Sequence, residues 1–590
     1  MIGSAGAALL CGVALSMGPF FHQVSSGTAA DNHTSPSFSI VPLEAGNYGV
    51  IGSDFRAVAD SGRPIVFGGD PGDPVSTYIL DRPGGRPRRL ELPSVSNVNE
   101  QLSGDGARLF LEGAFPVASG GVGFGIGTVD VSDGRVSSLR VSVSGVRSTV
   151  SRTGRWLAYV GSPPGAPPDS GRQVVLHDAY DDSFSLLTTR LAPGGQTVCN
   201  RTAPFPPLVT ADGSAVVFVA PDPINGPAPA AYGTCRVWVY ERASGRTRMV
   251  REIAAEQTII WPGAVDAVGR WLSFTLVRPM PDGRRLSGAA LLDLQSGEFI
   301  ESLTRDDTFQ SYDAVVTRDG TKVLLSSMSD LDPRVGNLDH NMELFLYHIA
   351  TERFAQVTDT TGGIEPGIRG TCSGYRPGVD ATGDVAVLLL FAFDAGDNCI
   401  IPRPQRQQSN GLYYRLARTL RKRPGNHPAT LTGLPALVEV RVGETLTLRA
   451  TGVDADGDAL TFFAQEIDKL DVPRGAVIED HYDGSASFRW QPRLEQAGEY
   501  VVRFALFDEG GGETLHDVRI RVAGGGGEGA CAGDCDGDGQ VVIAEVVRAV
   551  ELALGGQPAV LCAAADTDGD GQVTVDELIA ATGAALRGCP

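Results

Sequence analysis

Two stretches in the last sixty residues set carboxylates at fixed intervals: Asp534, Asp536, Asp538 and Glu545, then Asp566, Asp568, Asp570 and Glu577. Both fit the spacing D-x-D-x-D-G followed by five residues and Glu. In such a loop the first, third and fifth positions aim carboxylates at one centre, and glycine at the sixth (Gly539, Gly571) allows a sharp turn. The seventh (Gln540, Gln572) offers its main-chain carbonyl, and Glu at the twelfth closes the shell with two oxygens. Hard oxygen donors in that number imply Ca²⁺ as the cofactor. Without metal the crowded carboxylates repel one another, so metal binding and folding of 531–590 are expected to be coupled.

Each loop must be held by the segment on its C-terminal side. Ile543, Val546, Val547, Val550 and Leu554 share one helix face, as do Val575, Leu578, Ile579 and Leu586. Val541 and Val573 are placed to pair the loops through a short β-bridge. Neither GGGGEGACAG nor LCAAA before the loops can form an entering helix, so these are loop-helix halves. Over Cys531 to Cys589 the arrangement resembles dockerin, the duplicated calcium module that plugs exported proteins into cohesin domains. The resemblance implies calcium loops and a cohesin-like protein partner. This chain ends its loops with Glu where dockerins usually carry Asp. It also holds Ile543-Ala544 and Val575-Asp576 where many dockerins place Ser or Thr, so calcium binding transfers further than the partner does.

Upstream, one pattern recurs seven times: ADSGRPIVF, SGDGARLFL, SRTGRWLAYV, TADGSAVVFV, DAVGRWLSF, TRDGTKVLL and DATGDVAVLLL. Each is a turn followed by a short apolar run, the signature of strands joined by hairpins, at a period near that of propeller blades. One such sheet cannot bury both faces, so the copies must stack. These repeats resemble TolB-like, or PD40, β-propellers, which implies a seven-bladed β-propeller over 37–420. The last copy ends early, after LYYRLA, so Phe38 to Leu43 is expected to complete its sheet and close the ring.

RKRPGNHP (Arg421 to Pro428) breaks the pattern and marks a boundary. Alternating segments over 429–522 predict a β-sandwich of about seven strands. It resembles bacterial Ig-like or cadherin-like modules in Asp454, Asp456, Gly457, Asp458, Leu460, Thr461, Trp490, Pro492, Gly498, Tyr500 and Asp508. Asp454, Asp456 and Asp458 with Asp508 suit either a calcium site or a polar turn, and the turn is favoured. Trp490 is assigned to the core. The glycine-rich 523–530 is a flexible linker. The fold class expected is therefore mainly β and multidomain: propeller, sandwich and a small α calcium-binding module.

A formal net charge of -21 argues against binding nucleic acid or anionic membrane. The basic run Arg415 to Arg423 is short and is read as a solvated linker. Ala7 to Leu15, with a small-residue site at Thr28-Ala29-Ala30, resembles an export signal over 1–30 lacking the usual positive flank. No later segment reaches transmembrane length. The mature chain is thus expected to be extracytoplasmic. Eight of the nine cysteines then fit disulfides: Cys199 with Cys235, Cys372 with Cys399, and Cys589 with Cys535 or Cys531.

Catalytic constellations are sparse. Cys372 in GTCSG mimics a nucleophile elbow but precedes a strand, and a structural role is favoured. His177 and His348 fall on blade strands, and Asn337, Asp339, Asn341 and Glu343 read as a turn before a cation site. The function favoured is an exported, non-catalytic scaffold whose propeller and sandwich bind a ligand, such as a cell-surface polysaccharide, while the tail docks or stabilises. The alternative is a polysaccharide-active hydrolase or lyase, which carboxylates and arginines facing the propeller channel would favour.

Overall fold

The computed structural model describes residues 38–42, 58–68, 77–82, 84–90, 92, 96–117, 121–141, 149–161, 173–188, 206–220, 235–254, 256–338, 340, 342–359, 361–362, 378–391, 398–399, 414–467, 472–493, 496–523, 531–554, 559–567 and 571–589. Cys199, Cys372, Asp339, Asn341 and the 1–30 and 524–530 segments lie outside them, and Ala523, the first residue of the expected linker, ends a strand.

Among the described residues, seven sheets of three or four strands follow one another along the first 421 residues, beside a two-stranded parallel pair of Thr361–Gly362 with Asn398–Cys399. The second to sixth each use four consecutive strands, hydrogen-bonded in chain order, as in Ser311–Val316, Lys322–Ser327, Glu343–His348 and Arg353–Gln356. The first contains Ile65–Gly68, Thr77–Leu80 and Arg88–Leu90, with an isolated bridge from Val58 to Ile65. Trp156–Gly161 and Gln173–Asp178 bury every residue but the first, because each sheet is covered on both faces by its neighbours.

The seventh sheet draws on both ends of the ring. Gly378–Val379, Val385–Phe391 and Tyr414–Arg421 are joined at the edge by Phe38–Pro42, which runs antiparallel to Tyr414–Arg421 with Phe38 opposite Arg421 and Pro42 opposite Ala417. The expected closure therefore forms. Phe38 is 3% exposed and packs among Leu324, Leu344, Leu346 and Val357 of the sixth sheet and Ala386 of the seventh, with the Arg421 guanidinium 4.7 Å from its ring centroid. An unsatisfied sheet edge is thereby removed.

The repeated turns close the ring a second time. Asp60 N donates to Gly104 O (2.8 Å), Asp105 N to Arg152 O (3.2 Å) and Arg152 N to Ala211 O (2.8 Å). Ala267 N donates to Arg318 O (2.8 Å), Asp319 N to Ala381 O (3.1 Å), and Ala381 N back to Asp60 O (3.1 Å). The glycine of each turn is fixed by conformation and by crowding. Gly213 has φ +71°, and a Cβ there would lie 1.9 Å from Trp156 Cδ1 of the preceding sheet.

After Arg421 the strands change partners. One sheet orders Thr430–Thr432, Leu446–Val453, Ser485–Trp490 and Val477–Asp480; the other orders Leu437–Arg441, Glu513–Ala523, Gly498–Asp508 and Leu460–Glu466. That makes eight strands, one more than expected, because Leu437–Arg441 adds itself parallel to Glu513–Ala523. Leu446–Val453 alternates buried and exposed residues, as a strand with one covered face must. Trp490 is 1% exposed and its Nε1 donates to Arg474 O (3.3 Å), which confirms it in the core.

Leu420 of the last propeller strand packs with Phe463, Ala505 and Phe507 of the sandwich, and Arg418 pairs with Glu509. The basic run is thus partly an interface and not only a solvated linker. Two disulfides tie the C-terminal segment, Cys531–Cys589 and Cys535–Cys562. Of the two partners expected for Cys589, Cys531 is the one found. Cys235 is disulfide-bonded as well. No helix among the described residues is long and apolar enough to cross a membrane.

Candidate metal centre

In the first acidic loop, one carboxylate oxygen from each of Asp534, Asp536 and Asp538 lies within 4.8 Å of the others. Asp534 is 2% exposed and organises the turn: Oδ1 accepts from Gly537 N (2.7 Å) and Asp538 N (3.2 Å), and Oδ2 from Gly539 N (2.9 Å). Gly539 takes φ +83°, the sharp turn that position six demands. Glu545, 1% exposed, folds back over the loop. Its Oε1 accepts from Cys535 N (2.7 Å) and Asp536 N (3.2 Å), and its Oε2 from Val542 N (2.8 Å). Val542 caps the helix Ile543–Ala553, here α1, so Glu545 is at once the loop's twelfth residue and the third of the helix. Burial holds the Glu545 carboxyl above its ordinary range, and burial and then the charges of Asp538 and Asp534 do the same for Asp536.

The second loop repeats this wiring where it is described. Glu577 Oε1 accepts from Thr567 N (2.5 Å), and Oε2 from Thr574 N (2.8 Å) and Thr574 Oγ1 (3.0 Å). Gly571 N donates to Asp566 Oδ2 (2.9 Å), and Glu577 opens the helix Val575–Arg587, here α2. Asp568 and Asp570 lie outside the described residues. The side-chain donors present are all oxygens, and Cys535, the one thiol in the loops, is spent in a disulfide. That set fits a hard cation and suits no thiolate-seeking metal. The side chains of Gln540 and Gln572 are exposed beside their loops. Val541 and Val573 form no bridge; both are buried (7% and 6%), Val573 within the apolar cluster beneath the loops.

The helices turn their apolar stripes outward. Ile543 is 82% exposed, Val547 52% and Leu554 82%; at the equivalent places of α2, Val575 is 70% exposed, Ile579 64% and Leu586 81%. The inward positions hold Ala549 and Leu552 on α1 and Ala581 on α2, with Leu578 partly buried beside them. Ala549 and Ala581 are fully buried, and a Cβ on Gly533 would meet Ala581 Cβ at 2.5 Å. Val575, Ile579, Leu586 and Arg587 line an open groove of about 490 Å³.

The other acidic group, Asp454, Asp456 and Asp458, is also compact enough to hold a cation. It is already served by the boundary segment: Arg423 donates to Asp458 (2.5 Å), and His427 N to Asp456 (2.8 Å). Asp454 Oδ1 accepts from Asp456 N (2.9 Å) and Asp458 N (2.8 Å), the hydrogen bonds of a polar turn. Asp508 is held apart by Asn426 Nδ2 (2.9 Å) and Gly512 N (2.8 Å). In the sixth blade Asn337 Nδ2 donates to Ser329 O (3.3 Å) and Thr358 Oγ1 to Glu343, as turn and strand residues do. His177 meets Asp182 Oδ1 (3.0 Å) and stacks on Phe184, and burial holds His348 below its ordinary pKa.

One charged cluster carries no local signature in the sequence. Arg152 Nε donates to Asp60 Oδ2 (2.9 Å) and Arg318 Nε lies 2.7 Å from Asp60 Oδ1. Asp60 belongs to the first blade, Arg152 to the third and Arg318 to the sixth. Side chains from non-adjacent blades meet only across the axis, so this group spans the turn end of the channel. Burial pulls the Arg318 guanidinium down, opposed by Asp60. The available signal was positional: ADSG, SRTG and TRDG are the same turn of three repeats.

No protein-family model matches the chain, and no curated protein does. Among solved structures it is similar to an oligogalacturonate lyase in complex with manganese, at 14% identity and TM-score 0.39, covering 66% of this chain and 92% of that one. It is similar to the β-propeller domain of the Trilobed protease from Pyrococcus furiosus, at 10% identity and TM-score 0.34, covering 61% and 90%. TolB from Acinetobacter baumannii matches at 12% identity and TM-score 0.28, over 50% of this chain and 59% of that one.

Proposed function

We propose that the chain is an exported, calcium-binding, non-catalytic scaffold: propeller and sandwich engage a ligand or surface, and the dockerin-like tail presents calcium-ordered helices to a cohesin-like protein partner. The outward stripes carry this reading. Apolar side chains repeated at the same positions of two helices are costly to leave in water, and such patches mark association surfaces. The acidic loops start those helices and supply the oxygen donors. Two disulfides favour an oxidising compartment.

Calorimetry on the full chain tests the metal: two Ca²⁺ per chain are expected, and Glu545→Gln or Glu577→Gln should each remove one. No uptake at millimolar Ca²⁺ refutes the assignment. Surface plasmon resonance against a panel of cohesin domains tests docking. Binding should require Ca²⁺ and fail in Val547→Glu with Ile579→Glu, whose helices should otherwise keep their circular dichroism.

The axial cluster favours a second reading, a polysaccharide hydrolase or lyase with its site in the channel. It ranks below the first because Asp60 is committed to two guanidinium groups, and glycoside hydrolysis relies on two carboxylates flanking the bond. Turnover of an acidic polysaccharide by the wild type, lost in Asp60→Asn, would reverse that ranking.

A further inference from the structure

The two halves of the C-terminal module share their loop pattern and differ where α1 meets the sandwich. Glu545, Arg548, Ala549 and Leu552 are spaced i, i+3, i+4 and i+7, which puts them on one face of α1. Glu545 closes the first loop. One turn on, Arg548 Nη2 donates to Ala497 O of the sandwich at 2.7 Å. Ala549 (0% exposed) and Leu552 (4%) lie in the same continuous apolar cluster as Val518, Ile520 and Val522 of the strand Glu513–Ala523. Leu561, 2% exposed in the short 3₁₀ turn Ala559–Cys562, joins that cluster, and the turn is tied to the loop by Cys535–Cys562.

The second copy shares the apolar cluster through Val573 and the partly buried Leu578, but its helix lacks the two longer side chains of this grip. Ala580 stands where Arg548 does and is exposed, and Ala584 replaces Leu552. The buried alanine is common to both copies, Ala549 and Ala581. The sequences therefore diverge at the side chains that reach the sandwich and agree at those that pack the module.

We infer that the sandwich is an intramolecular partner chiefly of the first loop, so that a cation in that loop clamps the module onto the sandwich while the exposed face of α2 is left to face outward. This rests on the calcium-binding reading of the two loops. The residue that closes the loop and the residues that hold the sandwich sit on one short rigid helix, so ordering the loop orders the contact. Free energy gained by a ligand that favours the ordered state must appear as protection of whatever that state holds together.

Hydrogen exchange on the full chain, with peptides covering 496–500 and 513–523 and Ca²⁺ binding followed in parallel, tests the inference. Exchange in both peptides should slow by about tenfold or more with saturating Ca²⁺. Glu545→Gln should abolish the slowing, and Glu577→Gln should retain it. Arg548→Met, which keeps the aliphatic stem, should still bind two Ca²⁺ and lose most of the slowing at 496–500. Two bound Ca²⁺ with unchanged exchange, or equal losses in the two loop variants, would overturn the inference and leave the calcium reading standing. A wild-type chain that binds no Ca²⁺ would overturn both.

Discussion

Phe38 concentrates the closure of the ring into one side chain, so Phe38→Ala is the sharpest perturbation of the propeller. The ring is 3% exposed and wedged between the sixth and seventh blades against Leu324, Leu344, Leu346 and Val357. Truncating a fully buried Phe costs about 3–5 kcal/mol in lost transfer and residual cavity. The Arg421 guanidinium over its face adds on the order of 0.5–1 kcal/mol. Phe38→Leu keeps most of the volume and should cost about 1.5 kcal/mol or less, while Arg421→Met isolates the ring contact. Urea unfolding followed by propeller tryptophan fluorescence gives the ranking. Hydrogen exchange of 414–421, the strand bonded to Phe38–Pro42, shows where stability is lost. A Phe38→Ala loss under about 1 kcal/mol, or one no larger than that of Phe38→Leu, would show that the N-terminal strand does not hold the ring.

Gly213→Ala should destabilise the chain by about 2 kcal/mol or more, since it combines a left-handed φ with a Cβ inside the Trp156 ring; thermal unfolding checks this, and a change under about 0.5 kcal/mol refutes it. Asp178 is 2% exposed, and hydrogen bonds from Arg155 hold its carboxyl below the ordinary range. Because the folded pKa is the lower one, its contribution is complete above the unfolded value of about 3.9 and is lost as pH falls through the folded value. Asp178→Asn should flatten the part of the acid-unfolding curve that lies below about pH 4, and an unchanged curve refutes the linkage.

The propeller was legible because its signal is repeated. A turn glycine such as Gly213 or Gly383 and the apolar run after it recur seven times, and the shortness of the last copy called for the strand at Phe38. The acidic loops were legible for the same kind of reason, since Asp534 and Gly539 act locally. What failed to show was direction and distance. Ile543, Val547 and Leu554 form an apolar stripe on a helical wheel whichever way it points, and only the burial of the other positions, Ala549 and Leu552 on α1 and Ala581 against Gly533 on α2, turns it to solvent. Asp60 and Arg152 are 92 residues apart, and nothing local to either predicts that they meet on an axis. The acidic turn at Asp454 read ambiguously because its cation, Arg423, is supplied by the boundary segment.

The strand Tyr414–Arg421 carries a consequence for the order in which the molecule can be assembled. Its partner Phe38–Pro42 emerges about 380 residues earlier, and must wait unpaired until the whole ring has been made. Holding the ends of so long a loop together costs on the order of 5 kcal/mol in chain entropy, repaid only when the other blades are already stacked. The same strand also supplies Arg418 and Leu420 to the sandwich. Closing the ring and seating the sandwich are therefore one late event. A chain interrupted before Arg421 would leave its first strand and its sixth blade bare together, open to pairing with another copy.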